Sequence, residues 1–85
     1  MASLTSRALV SIERPTRYGK QLAGHIGHRV QVDELDNGWA LHIGDGMGHV
    51  LPHESESEPC LELTAEAETD EMLERIKHVL GKHLL

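Results

Sequence analysis

The sequence predicts an α+β fold, a two-layer sandwich whose antiparallel sheet carries both helices on one face, in the order β-α-β-β-β-β-α. Three observations predict it. Short runs alternate apolar and polar residues with the period of a strand, two segments of helical period lie towards the two ends of the chain, and the breaks between the middle strands are glycine-rich and tight. Consecutive strands joined by tight turns form an antiparallel meander, which two amphipathic helices can cover.

Taken in order, Ala8, Val10 and Ile12 alternate with Arg7, Leu9, Ser11 and Glu13, so residues 7–13 read as the first strand. Pro15 favours a helix start, Thr16 is suited to accept a first-turn N–H as N-cap, and the helix runs to about His28. Tyr18, Leu22 and Ile26 recur at helical spacing with His25 near the middle of their stripe and His28 at its edge, which predicts His25 as a core histidine bonded to a backbone carbonyl. Residues 30–35 alternate next, as do residues 39–43. Between them Asn37-Gly38 is the preferred pair for a type I′ hairpin turn. Such a turn pairs 33 with 42 and 32 with 43, putting Val32, Trp39, Leu41 and Ile43 on one face and Asp33, Leu35, Ala40 and His42 on the other. A second turn at Asp45-Gly46 pairs 42 with 49 and 41 with 50. It adds Val50 to the core face and sets Asp33, His42 and His49 in one row across three strands.

Residues 52–59, acidic and bracketed by prolines, read as a solvated loop. Leu61, Leu63 and Ala65 alternate with Cys60, Glu62 and Thr64 in a last strand. Thr69 is an N-cap candidate for the final helix, Asp70 and Glu71 suit its first turn, and Leu73, Ile76, Leu80 and Leu84 supply its apolar stripe.

At 85 residues the chain is expected to be a single domain, 1–85. A chain of that size buries only about 60–65% of the surface its unfolded form exposes, so core, dimer or ligand must supply its stability. Cys60 is the one cysteine, which rules out an intrachain disulfide and a four-cysteine zinc site and points to a cytoplasmic setting. Residues 1–7 lack the apolar run of a leader, and no stretch of about 18 apolar residues could span a membrane. The net charge of −6 is segregated: residues 1–29 hold five Lys/Arg against one acid, and residues 30–85 hold three against thirteen. A basic helix beside the acidic strands of its own domain accounts for this, and so does a partner surface. Tyr18 and Trp39 are the only aromatics and cannot build a stacking platform, so nucleic acid is not expected as a partner.

The chemistry-bearing residues collect in the basic segment 14–29, which ends in a His-x-x-His pair. Its run Arg17-Tyr18-x-Lys20-Gln21-Leu22-x-x-His25-x-x-His28-Arg29-Val30 resembles the bacterial DUF2218 family, a domain of unknown function whose members show a similar Arg-Tyr-x-Lys-Gln-Leu and then His-x-x-His-Lys. Gly81-Lys82-His83-Leu84 is similar to the family's Gly-Arg-His-Leu, so the likeness covers nearly the whole chain. The chain departs from the pattern at residues 43–50, where members usually carry aromatic-Pro-aromatic-Gly-x-Cys. Cys60 does not match that cysteine, and the aromatic, arginine-containing tail that follows His-Leu is absent. The resemblance implies no settled activity, and a link to iron, because some members lie beside iron or siderophore genes.

His25, His28 and His83 are the histidines that match the family. Ligands at i and i+3 on one helix can share a metal, so His25 and His28 with His83 from the last helix are the candidate ligands for a transition metal or an iron-bearing molecule. Arg17, Tyr18, Lys20 and Gln21 are the candidate contacts for a ligand or partner. No complete catalytic or cofactor motif is present, and nothing in the sequence joins His25 to Tyr18 or Cys60 for acid–base or nucleophilic work. The expected function is therefore a non-enzymatic protein-interaction or accessory module, homodimeric or with a protein partner, using the basic helix or an open sheet face with Leu35, Met47 and Leu51. The alternative is metal or iron-ligand binding by the histidines of the two helices.

Overall fold

The computed structural model describes residues 3–82, which form an α+β fold with the expected order of elements: β1 (Leu4–Ser11), α1 (Pro15–Ile26), β2 (Gln31–Leu35), β3 (Gly38–Ile43), β4 (Gly46–His53), β5 (Cys60–Ala67) and α2 (Asp70–Lys82). The five strands make one antiparallel sheet in the order β1-β5-β4-β3-β2. β2 to β5 are a meander. β1 lies at the far edge beside β5, with Leu4 opposite Ala67 and Ser11 opposite Cys60.

Strand alternation sends Leu41 and Ile43 of β3, Val50 of β4 and Leu61, Leu63, Ala65 and Ala67 of β5 into one apolar cluster. Leu22, Ala23 and Ile26 of α1 and Ile76 and Leu80 of α2 join the same cluster. Leu41, Leu61, Ile76 and Val50 are sealed from solvent, and burying each such side chain stabilises the fold by about 1.5–3 kcal/mol. α1 packs on β3, β4 and β5, and α2 on β1, β4 and β5. No helix among the described residues is long and apolar enough to cross a membrane.

Both hairpin registers differ from the expected ones. Leu35 stands opposite Gly38, so the first loop is Asp36-Asn37 and not Asn37-Gly38. A type I′ turn needs positive φ at both loop residues, and no non-glycine described residue has one. Gly38 instead opens β3, where a Cβ would run into the Val50 carbonyl oxygen; close backbone approach is what requires glycine there. In the second hairpin Ile43 faces Gly46, and the loop is Gly44-Asp45, with Gly44 at φ 60. Each register is therefore displaced by two residues, which leaves every side chain on its expected face. The Asp33, His42 and His49 row does not form: Asp33 and His49 both face Ala40, while His42 faces Gln31 and Met47.

β1 begins before Arg7 and ends at Ser11, after which the Ile12 N–H donates to the Pro59 carbonyl at 3.2 Å. β4 continues through Pro52, beyond the last residue of β4 paired with β3, so the missing N–H removes no bond to that neighbour. α1 has Pro15 in its first turn and Arg14 as N-cap with no side-chain bond, so Thr16 is not the cap. Thr16 instead donates its N–H (2.9 Å) and Oγ1 hydroxyl (2.7 Å) to Glu54, a carboxylate from the acidic segment after β4. An anion at a helix N-terminus satisfies orphan donors and the helix dipole together. At α2 the expected cap forms, with the Met72 N–H donating to Thr69 Oγ1 at 3.2 Å.

The buried arc of α1 is Pro15, Gly19, Leu22, Ala23 and Ile26, with Tyr18 half-buried at its edge. His25 is exposed, which corrects its assignment to the core. Gly19 and Ala23 present so little side chain that the helix turns them inward: a Cβ on Gly19 would sit 2.9 Å from the Trp39 ring.

Candidate functional site

The helix surface comes first. Packing on Gly19 sets the Trp39 indole beside α1, and an open cleft remains between the helix and the β2–β3 hairpin. It consists of two adjoining hollows of about 340 and 430 Å³ that share Lys20, Glu34 and Trp39. Thr16, Asp36 and Pro52 line one end; Gly24, His28 and Val32 line the other. Of the residues expected to contact a ligand or partner, Lys20 therefore lines the cleft. Arg17 and Gln21 are exposed on the helix beside it, and Tyr18 packs against the core without lining the cleft. Every residue of α1 is neutral or basic.

His25 is in the last turn of α1, and His28 lies in the turn that follows Ile26, its N–H 3.4 Å from the His25 carbonyl oxygen. His83 lies outside the described residues. Among the described residues no group of three or more His, Cys, Asp or Glu could hold a metal ion.

The second surface is the face of the sheet that alternation turns away from the apolar cluster. Glu62 of β5 is its centre. Arg7 Nε donates to Glu62 Oε2 at 2.7 Å, and His53 Nε2 lies 2.7 Å from Glu62 Oε1, so one carboxylate ties β1, β5 and β4 together. The Arg7 bond first and the His53 bond second hold the Glu62 carboxyl below its ordinary value. Towards the other edge, His42 Nε2 lies 2.6 Å from Asp33 Oδ2 and Gln31 Nε2 donates to Asp33 Oδ1 at 3.2 Å. Those two bonds, the histidine's being the larger influence, lower the Asp33 carboxyl. The carboxylates of Glu62 and Asp33 are thus both held by partners on this face.

Leucines stand on both sides of Glu62 in one transverse row. Leu9 of β1 faces Glu62, Glu62 faces Leu51 of β4, and a Cβ on Gly38 would meet Leu51 Cδ2 at 3.0 Å, with Leu35 of β2 opposite Gly38. Leu9 is 56% exposed and Leu35 38%. Leu35 and Leu51 were expected on this face; Leu9 was not singled out, because its partner Glu62 is 53 residues away in the chain. Glu62 and Glu54 were missed for the same reason. Each reads as an ordinary polar position until the fold brings its partners to it. Cys60 is half-buried, opposite Ser11 and His53 in the register, while the His53 imidazole meets Glu62.

No curated protein matches the chain at a significant level. The family model DUF2218, described as an uncharacterized protein conserved in bacteria, matches residues 7–85, which takes in both helices and all but the first residues of the sheet. The chain belongs to this family of uncharacterized bacterial proteins.

Proposed function

We propose that the chain is one domain acting as a non-enzymatic interaction module, and that it pairs with a second copy through the outer face of its sheet. The reading begins from the helices. Both contribute to a single apolar cluster with the same strand faces, which supports placing them together on one side of the sheet and leaves the other side open. The observation that carries the proposal is the transverse row of Leu9, Leu51 and Leu35, interrupted at Glu62, whose carboxylate is held by Arg7 and His53 as that of Asp33 is held by His42 and Gln31. A partner covering the row of leucines gains apolar burial beside the held carboxylates of Glu62 and Asp33, with Glu66 of β5 the exposed carboxylate left to the rim.

Five strands about 4.8 Å apart and strands of up to eight residues span roughly 500–600 Å² per copy, which places a symmetric dimer at the lower bound of stable interfaces, about 1,000–1,200 Å² in total. The interface is then weak and concentration-dependent. The lone cysteine supports a reducing, cytoplasmic setting, where no disulfide would lock the pair.

Sedimentation equilibrium from micromolar to millimolar concentration tests the proposal. Wild type is expected to shift from monomer to dimer, and Leu9→Glu to remain monomeric with an unchanged far-ultraviolet spectrum. A wild-type chain that stays monomeric throughout, or a Leu9→Glu variant that dimerises as before, overturns it.

A further inference from the structure

We propose that the cleft beside α1 binds an extended acidic peptide segment of another protein, with peptide carboxylates on Arg17 and Lys20 and an apolar side chain against Trp39. The charge pattern starts the argument. Arg14, Arg17, Lys20 and Arg29 are all exposed, and among the described residues none of the four is in an ion pair, whereas Arg7 and Lys77 each hold a glutamate. Four of the five positive charges in the first third of the chain are therefore not spent on acids of the described residues.

Geometry supplies the shape. Lys20, Gly24 and His28 succeed one another along one wall at four-residue intervals, and Val32, Glu34 and Trp39 form the facing wall. The helical part of that wall, from residue 20 to the helix end at Ile26, is about 9 Å at helical rise, the length of about three extended residues. A Cβ on Gly24 would meet nothing within 4 Å, so the cleft is open where a peptide would cross the helix. β2 is an edge strand, paired only with β3, and its outward main-chain groups lie beside this wall, ready to bond an extended chain.

The same walls select among anions. Glu34 shares the cleft with Lys20, and Asp36 stands at one end. A continuous line of phosphates would be driven against these carboxylates and against a chain of net charge −6, whereas separated carboxylates can seat on the helix side alone. The chemistry therefore fits a peptide with spaced acids, not a nucleic acid.

Trp39 is the sole tryptophan, so its fluorescence reports this cleft directly. The probe is a capped heptapeptide alternating glutamate and leucine, compared with its lysine-for-glutamate counterpart and with a thymidine oligonucleotide. The titration is run on the Leu9→Glu chain as well as wild type, so that self-association through the sheet cannot enter the signal. Saturable binding of the acidic peptide is expected, weakened about tenfold or more by Lys20→Glu and several-fold by raised salt, with Arg17→Glu acting in the same direction. A missing response, equal binding of the lysine peptide, affinity unchanged by Lys20→Glu and Arg17→Glu, or a preference for the oligonucleotide overturns the proposal.

Discussion

Replacing Glu62 by glutamine keeps the shape of the side chain and removes its charge, which isolates the junction of β1, β5 and β4. The Glu62 side chain is only 14% exposed, but its partners Arg7 and His53 are 63% and 51% exposed and regain water when the carboxylate goes. An exposed ion pair contributes about 0.2–1 kcal/mol and a hydrogen bond a similar amount, so the Arg7–Glu62 pair with the His53 bond beside it is worth about 1 kcal/mol at neutral pH. For a domain of this size that is a fall of about 4–8 °C in Tm. The pH dependence gives the sharper test. Because the native Glu62 carboxyl lies below its ordinary 4.5, its contribution is complete above that pH and is lost as pH falls through the depressed native value. Subtracting the Glu62→Gln melting curve from wild type, at low protein concentration, cancels the other carboxylates. The difference should be about 1 kcal/mol at neutral pH, shrink with salt and approach zero in strong acid. A difference that is absent at neutral pH, or that persists undiminished in acid, refutes the assignment of Glu62 as a charged tie.

Two further substitutions test the packing. Ile76→Ala removes a side chain with no solvent exposure and should cost about 3 kcal/mol in chemical denaturation, a large part of the stability of so small a domain. Gly38→Ala places a methyl group against the Val50 carbonyl, which forces β3 away from β4. The expected loss is more than about 2 kcal/mol, whereas the same change at the open Gly24 should be neutral or stabilising because alanine favours the helix.

The elements and their faces were legible because they rest on local periodicity. Leu61, Leu63 and Ala65, or Ile76 and Leu80, declare an inward face whatever they pack against. The turns were less legible. Asn37-Gly38 has the composition of a type I′ loop, yet the glycine is required one step later by the approach of Val50, a contact invisible until β4 is in place. A two-residue slip leaves the faces intact, so agreement between apolar pattern and turn could not detect it, and only the Asp33, His42 and His49 row depended on the true register. At α1, reading Tyr18 and His25 as the stripe overlooked that Gly19 and Ala23, by their smallness, decide which side approaches Trp39. Of the candidate site, Lys20, Arg17 and Leu51 could be anticipated from exposure or alternation. The partners of Glu54 and Glu62 could not, since they come from segments far away in the chain.

The placement of β1 also bears on the order in which the fold is made. β2 to β5 meet through connections within the neighbouring chain, two of them two-residue loops, and can close as each strand emerges. β1 must wait: Leu4 finds Ala67 only after the whole meander exists, a closure whose entropy cost rises with the enclosed length. The strand that is synthesised first is thus the last to find its partner, and with it docks the Arg7 end of the Glu62 tie. In native-state hydrogen exchange, the amides of β1 should open before those of β4, leaving the edge beside β5 as the point from which the domain comes apart.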